Sequence, residues 1–128
     1  MHLWSVVARE VPVVFLDTGF LFEETLAYRD ALVAQLGLTL QVITPKVARE
    51  DFLRAHGLTI YQQNPDFCCA ENKVEPLTRA MPGKLAWVSG LRRDQGPTRK
   101  DTPILLATDG PTKVHPMVDW SARDVHFY

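Results

Sequence analysis

Two neighbouring thiols, Cys68 and Cys69, are the residues of this chain most able to do chemistry beyond packing, and they are its only cysteines. A bridge between adjacent cysteines strains the peptide joining them, so they form no disulfide framework. On a helix, neighbouring side chains diverge by about 100°, so the pair can ligate two irons of one cluster while supplying two of the four thiolates such a cluster takes. Lys73 lies four residues beyond Cys69, one helical turn on, where an ammonium offsets the charge of thiolates or of an anionic substrate. The same three residues also read as two inert cysteines beside an exposed lysine. Two loops add candidate binding chemistry. LDTGF, from Leu16 to Phe20, follows one apolar run, and GLRRDQGPTR, from Gly90 to Arg99, follows another and gathers Arg92, Arg93 and Arg99 near glycines, with Lys100 next in sequence. Phosphate or sulfate suits the second loop; solvated arginines and an ordinary helix-approach Asp17 are the alternative.

These residues need elements to hold them. Val11 to Leu16 is a β-rich run, apolar on both faces as a strand covered by helices would be. Phe22, Leu26, Val33 and Leu36 recur at helical spacing, with Glu23 and Glu24 in the first turn and Gly37 as a stop. Leu38 to Ile43 reads as a second strand closed by Pro45, so the opening third is a βαβ unit. A helix is expected over Val47 to Ala55, a polar loop over Gln62 to Pro65, and a further helix from about Asp66 to Met81 that must accommodate Pro76. Leu85 to Ser89 is a short buried strand, and Pro103 to Ala107 a candidate for one more. In open parallel sheets ligands sit outside the carboxyl ends of the strands, where both candidate loops fall.

Composition bounds the alternatives. The 128 residues are 46% hydrophobic and 23% charged, a globular balance that fits one domain. Fourteen basic against fifteen acidic residues leave a formal charge of −1, so no global field recruits nucleic acid or an anionic membrane. The longest apolar stretch is far short of the roughly twenty residues that span a bilayer. MHLWSVVARE lacks the features of a signal peptide, which makes the cytoplasm the expected compartment. Residues 3 to 8 look like the tail of a helix, and Ser121 with Asp124 forms a capping arrangement near the other end. Both ends are therefore expected to be cut from a longer domain. Loss of the segment before Val11 would leave a parallel sheet short of a strand, so the isolated chain is expected to be weakly stable or to associate as a homo-oligomer.

Four segments, VVFLDTGFLFEET, CCAENKVEPLTRA, AWVSGLRRDQGPTR and KVHPMVDWSARDV, in this order and at these separations, resemble the assimilatory adenylyl-sulfate and phosphoadenylyl-sulfate reductases. The resemblance runs from about Val11 to Tyr128 and implies a three-layer α/β domain with a parallel sheet, Rossmann-like and of the adenine nucleotide α-hydrolase type, incomplete at both ends. The paired cysteines followed by KVEPL favour the iron–sulfur branch, which acts on adenylyl sulfate. By resemblance, Cys68 and Cys69 are half the ligand set of a [4Fe–4S] cluster. Lys73 lies between cluster and sulfate, Leu16, Asp17 and Thr18 meet the adenosine, Gly90 and Leu91 lie beside the nucleotide, and Arg99 is near the phosphosulfate. The implied reaction is attack of a cysteine thiolate on the sulfur of adenylyl sulfate, release of AMP, and reduction of the S-sulfocysteine by thioredoxin to give sulfite. The departures are specific. The family's serine-glycine phosphate loop, its Cys-x-x-Cys and its nucleophilic cysteine have no counterpart among these residues; Asn72 stands where the family usually has arginine, and Glu23 where it usually has proline. The alternatives are phosphoadenylyl-sulfate reduction and a nucleotide-binding module without catalysis.

Overall fold

The computed structural model describes all residues, Met1–Tyr128, and the chain divides into two compact units, Met1–Ala80 and Met81–Tyr128. In the first, helix α1 (His2–Val7) precedes strand β1 (Val13–Leu16), helix α2 (Glu23–Leu36) and strand β2 (Leu40–Ile43). β1 and β2 are parallel, with Val13 opposite Leu40 and Leu16 opposite Ile43, so the expected βαβ crossover is present. Gly37 ends α2 because the chain there turns left-handed, at φ 59°, which a glycine adopts without a Cβ penalty. Its N–H donates to Ala34 O at 3.4 Å and that of Leu38 to Val33 O at 3.1 Å, so two terminal carbonyls find partners and Leu38 is drawn into the core.

Helix α3 (Arg49–His56) starts two residues later than the sequence suggested, and its Phe52 is buried. The expected polar loop at Gln62 to Pro65 is largely a helical turn instead, α4 (Ile60–Gln63). The physical reason is that the break falls at a single residue, Asn64: its side chain accepts from Phe67 N at 3.2 Å, and Pro65, needing no N–H partner, occupies the first position of α5 (Pro65–Cys69).

From Pro65 to Ala80 the path is helical throughout, but Ala70–Val74 is a π turn between α5 and α6 (Glu75–Ala80). Proline inside an α-helix removes a donor and clashes with the carbonyl four residues back. The wider turn relieves this before Pro76: Glu75 N–H donates to Ala70 O, five residues back. Pro76 is fully buried. The expected helix is therefore continuous, with a wound-out turn in place of a break.

The second unit holds strands β3 (Ala86–Val88), β4 (Leu105–Leu106) and β5 (Thr112–Val114) in the order β3–β5–β4. β3 runs parallel to β5, while β4 pairs antiparallel with it, Leu105 opposite Val114. Single 3₁₀ turns at Arg93–Gln95 and Pro97–Arg99 follow β3. Helix α7 (Ala122–Phe127) opens on the capping arrangement read from the sequence, with Asp124 N donating to Ser121 Oγ at 3.2 Å.

Candidate functional site

Local chemistry shapes the rim beyond β1. Asp17 Oδ1 accepts Gly19 N–H at 2.9 Å and Thr18 Oγ1 accepts Phe20 N–H at 3.2 Å, so each side chain folds the backbone just after it. Gly19 has φ 74°, and a Cβ there would sit 3.1 Å from the Cβ of Arg49, so only glycine lets this loop approach the start of α3. Thr18 is buried, and Arg49 stacks over the Phe20 ring at 5.3 Å.

The result is a crevice of about 380 Å³ at the carboxyl ends of β1 and β2, lined by residues 17–19 and 44–49. This is where a parallel sheet offers a ligand site. Asp17 and Thr18 line it, as the sequence suggested, and Leu16 is the last residue of the strand that leads into it. Lys46 and Arg49 also line it and were not anticipated. The signal lies in the sequence, because the run ending at Ile43 is itself a strand whose carboxyl end meets a helix start, but no glycine-rich loop marks it.

Cys68 and Cys69 are both half-buried and reduced, the last residues of α5 before the π turn. Lys73 lies within that turn and is exposed. Asn72, by contrast, is 3% exposed; its Nδ2 donates to Cys68 O at 3.0 Å and lies 3.7 Å from Cys68 Sγ.

The cysteine helix is anchored to the crevice rim one turn further on. Lys46 Nζ lies 2.6 Å from Glu75 Oε1, Arg79 Nε lies 3.4 Å from the same oxygen, and Arg79 Nη2 donates to Thr44 O at 2.7 Å. The hydrogen bond from Lys46, with Arg79 adding to it, holds the Glu75 carboxyl below its ordinary range. Glu75 Oε2 is buried without a partner.

In the second unit, Gly90 and Leu91 directly follow β3, and Arg99 ends the second 3₁₀ turn with its guanidinium on Gln95 Oε1. Arg92 and Arg93 are committed internally. Arg92 pairs with Asp94 at 2.9 Å and keeps that carboxyl below its ordinary range; Arg93 pairs with Asp119 and donates to Thr102 O. Arg99 and Lys100 therefore remain as the exposed cations of this loop. Ser89 Oγ and His115 Nδ1 meet at 2.9 Å, one step past the Val88–Val114 pair, a contact that register creates and spacing along the chain does not reveal.

The whole chain, residues 1–128, matches the phosphoadenosine phosphosulfate reductase domain. The chain belongs to that family. Among its relatives, the adenosine 5'-phosphosulfate reductase of Mesorhizobium japonicum is 42% identical over 97% of this chain and 49% of that protein. The phosphoadenosine 5'-phosphosulfate reductase of Gloeobacter violaceus is 38% identical over 89% of this chain and 48% of that protein. The chain spans about half the length of the curated relatives it matches. A crystal structure of phosphoadenylyl-sulfate reductase from Candida auris, in complex with phosphate, superposes with a TM-score of 0.82 at 27% identity, covering 98% of this chain and 62% of that one. The family's Rossmann-like α/β fold with parallel strands is thus the fold of this chain. No helix is long and apolar enough to cross a membrane.

Cys68 and Cys69 are two free thiols at one helix end, and the Asn72 side-chain amide lies 3.7 Å from one of the sulfurs; two thiolates are half of the four that an iron–sulfur cluster takes. The chain contains no group of three or more His, Cys, Asp or Glu that would complete such a site.

Proposed function

We propose that this chain forms the nucleotide-holding and cluster-holding part of a thioredoxin-dependent adenylyl-sulfate reductase, working in sulfate assimilation in the cytoplasm. The observation that carries the reading is the anchoring of the Cys68–Cys69 helix, through Glu75 and Arg79, to Lys46 and Thr44 at the rim of the β1–β2 crevice. These contacts tie the helical run that carries the paired thiols to the rim of the crevice at the strand ends.

In this reading Leu16, Asp17 and Thr18 hold the adenosine, Gly90 and Leu91 lie along the nucleotide, and Arg99 takes its phosphosulfate. Cys68 and Cys69 hold one half of a [4Fe–4S] cluster, which when bound contributes fixed charge close to the sulfate. Lys73, exposed and outside the chain's salt bridges, offers its ammonium to a sulfate oxygen. A thiolate supplied from outside residues 1–128 attacks the sulfate sulfur, the bond from sulfur to the AMP oxygen breaks, and AMP leaves. The dithiol of thioredoxin then displaces sulfite from the S-sulfocysteine and is itself oxidised to a disulfide.

The Gloeobacter relative and the Candida structure, both named for phosphoadenylyl sulfate, favour that nucleotide as a second reading. Isothermal titration of the chain with adenylyl sulfate and with phosphoadenylyl sulfate tests both: preference for the first supports the proposal, and preference for the second replaces its substrate. Iron and sulfide analysis after anaerobic purification of a longer form tests the cluster. A cluster-free longer form that turns over neither nucleotide would leave a nucleotide-binding module without catalysis.

A further inference from the structure

Tyr61, Phe20 and Arg49 form a ladder that ends at the β1–β2 crevice. The rings of Tyr61 and Phe20 lie with centroids 6.4 Å apart and planes inclined at 56°, and the Arg49 guanidinium lies over the Phe20 ring. Arg49 lines the crevice and Phe20 does not, which places the guanidinium on the crevice side of the ring. Gly19, which has no Cβ to hold the β1 loop off Arg49, lets Phe20 come under it. Arg49 is exposed and takes part in no salt bridge, whereas Lys46, the other cation of the lining, is held by Glu75. A guanidinium is flat, and with one face on a ring its N–H groups still point outward in its own plane, leaving the second face open to another π system. The charges of the lining decide which part of a nucleotide suits it. With Lys46 paired, Asp17 and Arg49 leave the crevice close to neutral, which fits an uncharged base and ribose better than a phosphate. Gly19, Pro45, Val47 and Ala48 add small or apolar surface, and the volume of about 380 Å³ is of the size that holds small molecules.

We infer that Arg49 is the residue on which the adenine base stacks, its guanidinium held between the base and Phe20. The inference rests on the reading of this crevice as the adenosine site, and it adds a contact to the base from the α3 side to those of the β1 loop. Nucleobases stack on arginine planes as they do on aromatic rings, because both present a π face. The ribose then falls to Asp17: its Oδ1 is taken by Gly19 N–H, while Oδ2 carries no hydrogen bond and is open to a sugar hydroxyl. Stacking and anion binding make different demands on this side chain. A phosphate would use the N–H edge of Arg49 and would be served by any cation of similar reach, whereas a base uses the face, which lysine lacks.

Isothermal titration of the 128-residue chain with adenosine and with ribose 5-phosphate reads this contact. The variants are Arg49→Met and Arg49→Lys, which keep the Cβ and much of the reach of the side chain. Both are expected to bind adenosine about tenfold more weakly than the parent and to treat ribose 5-phosphate as the parent does. Full adenosine affinity in Arg49→Lys, or a matching loss for ribose 5-phosphate, would show a charge contact and overturn the stacking role while leaving the crevice a nucleotide site. Unchanged adenosine affinity in both variants would overturn it in the same way. A parent chain that does not bind adenosine would overturn the adenosine reading and this inference with it. Should a variant fail to fold by circular dichroism, proton spectra of the parent decide. A base stacked on the guanidinium is expected to move the Arg49 Nε–H and Cδ protons upfield by its ring current, and unmoved Arg49 resonances at saturating adenosine overturn the proposal.

Discussion

Gly19 shows how much of the crevice depends on a single backbone choice. Its positive φ and the 3.1 Å approach to Arg49 make Gly19→Ala costly twice, by left-handed strain and by displacement of the α3 start. Loss of about 1–2 kcal/mol is expected from the backbone alone, read as a lower urea midpoint, together with weaker nucleotide binding by calorimetry. The Lys46–Glu75 pair gives a pH dependence. Because Glu75 stays ionised to lower pH in the folded chain than in the unfolded one, the unfolded chain takes up its proton first on acidification. Its contribution is complete above the ordinary glutamate value and is lost as pH falls below it toward the lowered one. Lys46→Ala should therefore flatten the acid limb of a stability profile measured by urea unfolding at a series of pH values; an unchanged limb would show that the pair contributes nothing. At this scale the sequence revealed residue types well and partners badly. Cys68, Cys69 and Asp17 stood out by chemistry, whereas Asn72 was noted as a missing charge, and its bond to Cys68 depends on burial that no spacing reports.

At the scale of elements, α2 was legible because its apolar period, acidic first turn and glycine stop all agree, and the β1–β2 pairing followed from the length of the connection. Gly37→Ala should cost about 1–2 kcal/mol for the same left-handed reason, seen as a lowered thermal midpoint. β5 escaped notice: three half-buried residues with Lys113 in the middle show no alternation, and only pairing with β3 and β4 makes them a strand. The π turn escaped as well, since one residue of excess leaves no mark in a hydrophobic pattern. Pro76 announced that something must yield, without saying where. Ser121→Ala is expected to fray α7, losing about 1 kcal/mol of local stability, detectable as faster amide exchange over Ala122–Phe127.

For the whole molecule the measure is how little is fully enclosed. Leu38, Ile43, Phe52 and Val118, with Pro76, are the buried apolar side chains, while Phe22, Leu58, Leu85 and Phe127 each leave more than 70% of their surface in water. Exposed apolar area on this scale favours association. Sedimentation velocity across a concentration series should show mass-action growth of larger species, and a sharp, concentration-independent melting transition of a monomer would contradict it. The family was legible from four short segments between about Val11 and Tyr128, because they set distinctive residues in one order and at particular separations. The globular composition was less telling, since burial depends on what surrounds each element and not on its own residues.

The π turn has one more consequence. A surplus residue in a helix acts as an indexing step, and each residue turns the axis by about 100°. The segment ahead of it carries the thiols, and the segment behind carries Glu75 and Arg79, which grip Lys46 and Thr44 in the loop after β2. A chain one residue shorter between 70 and 74 would wind a more regular helix and keep its grip, yet aim its sulfurs in another direction. Helical content would survive such a deletion and the direction of the two thiols would not, so the irregularity sets their aim.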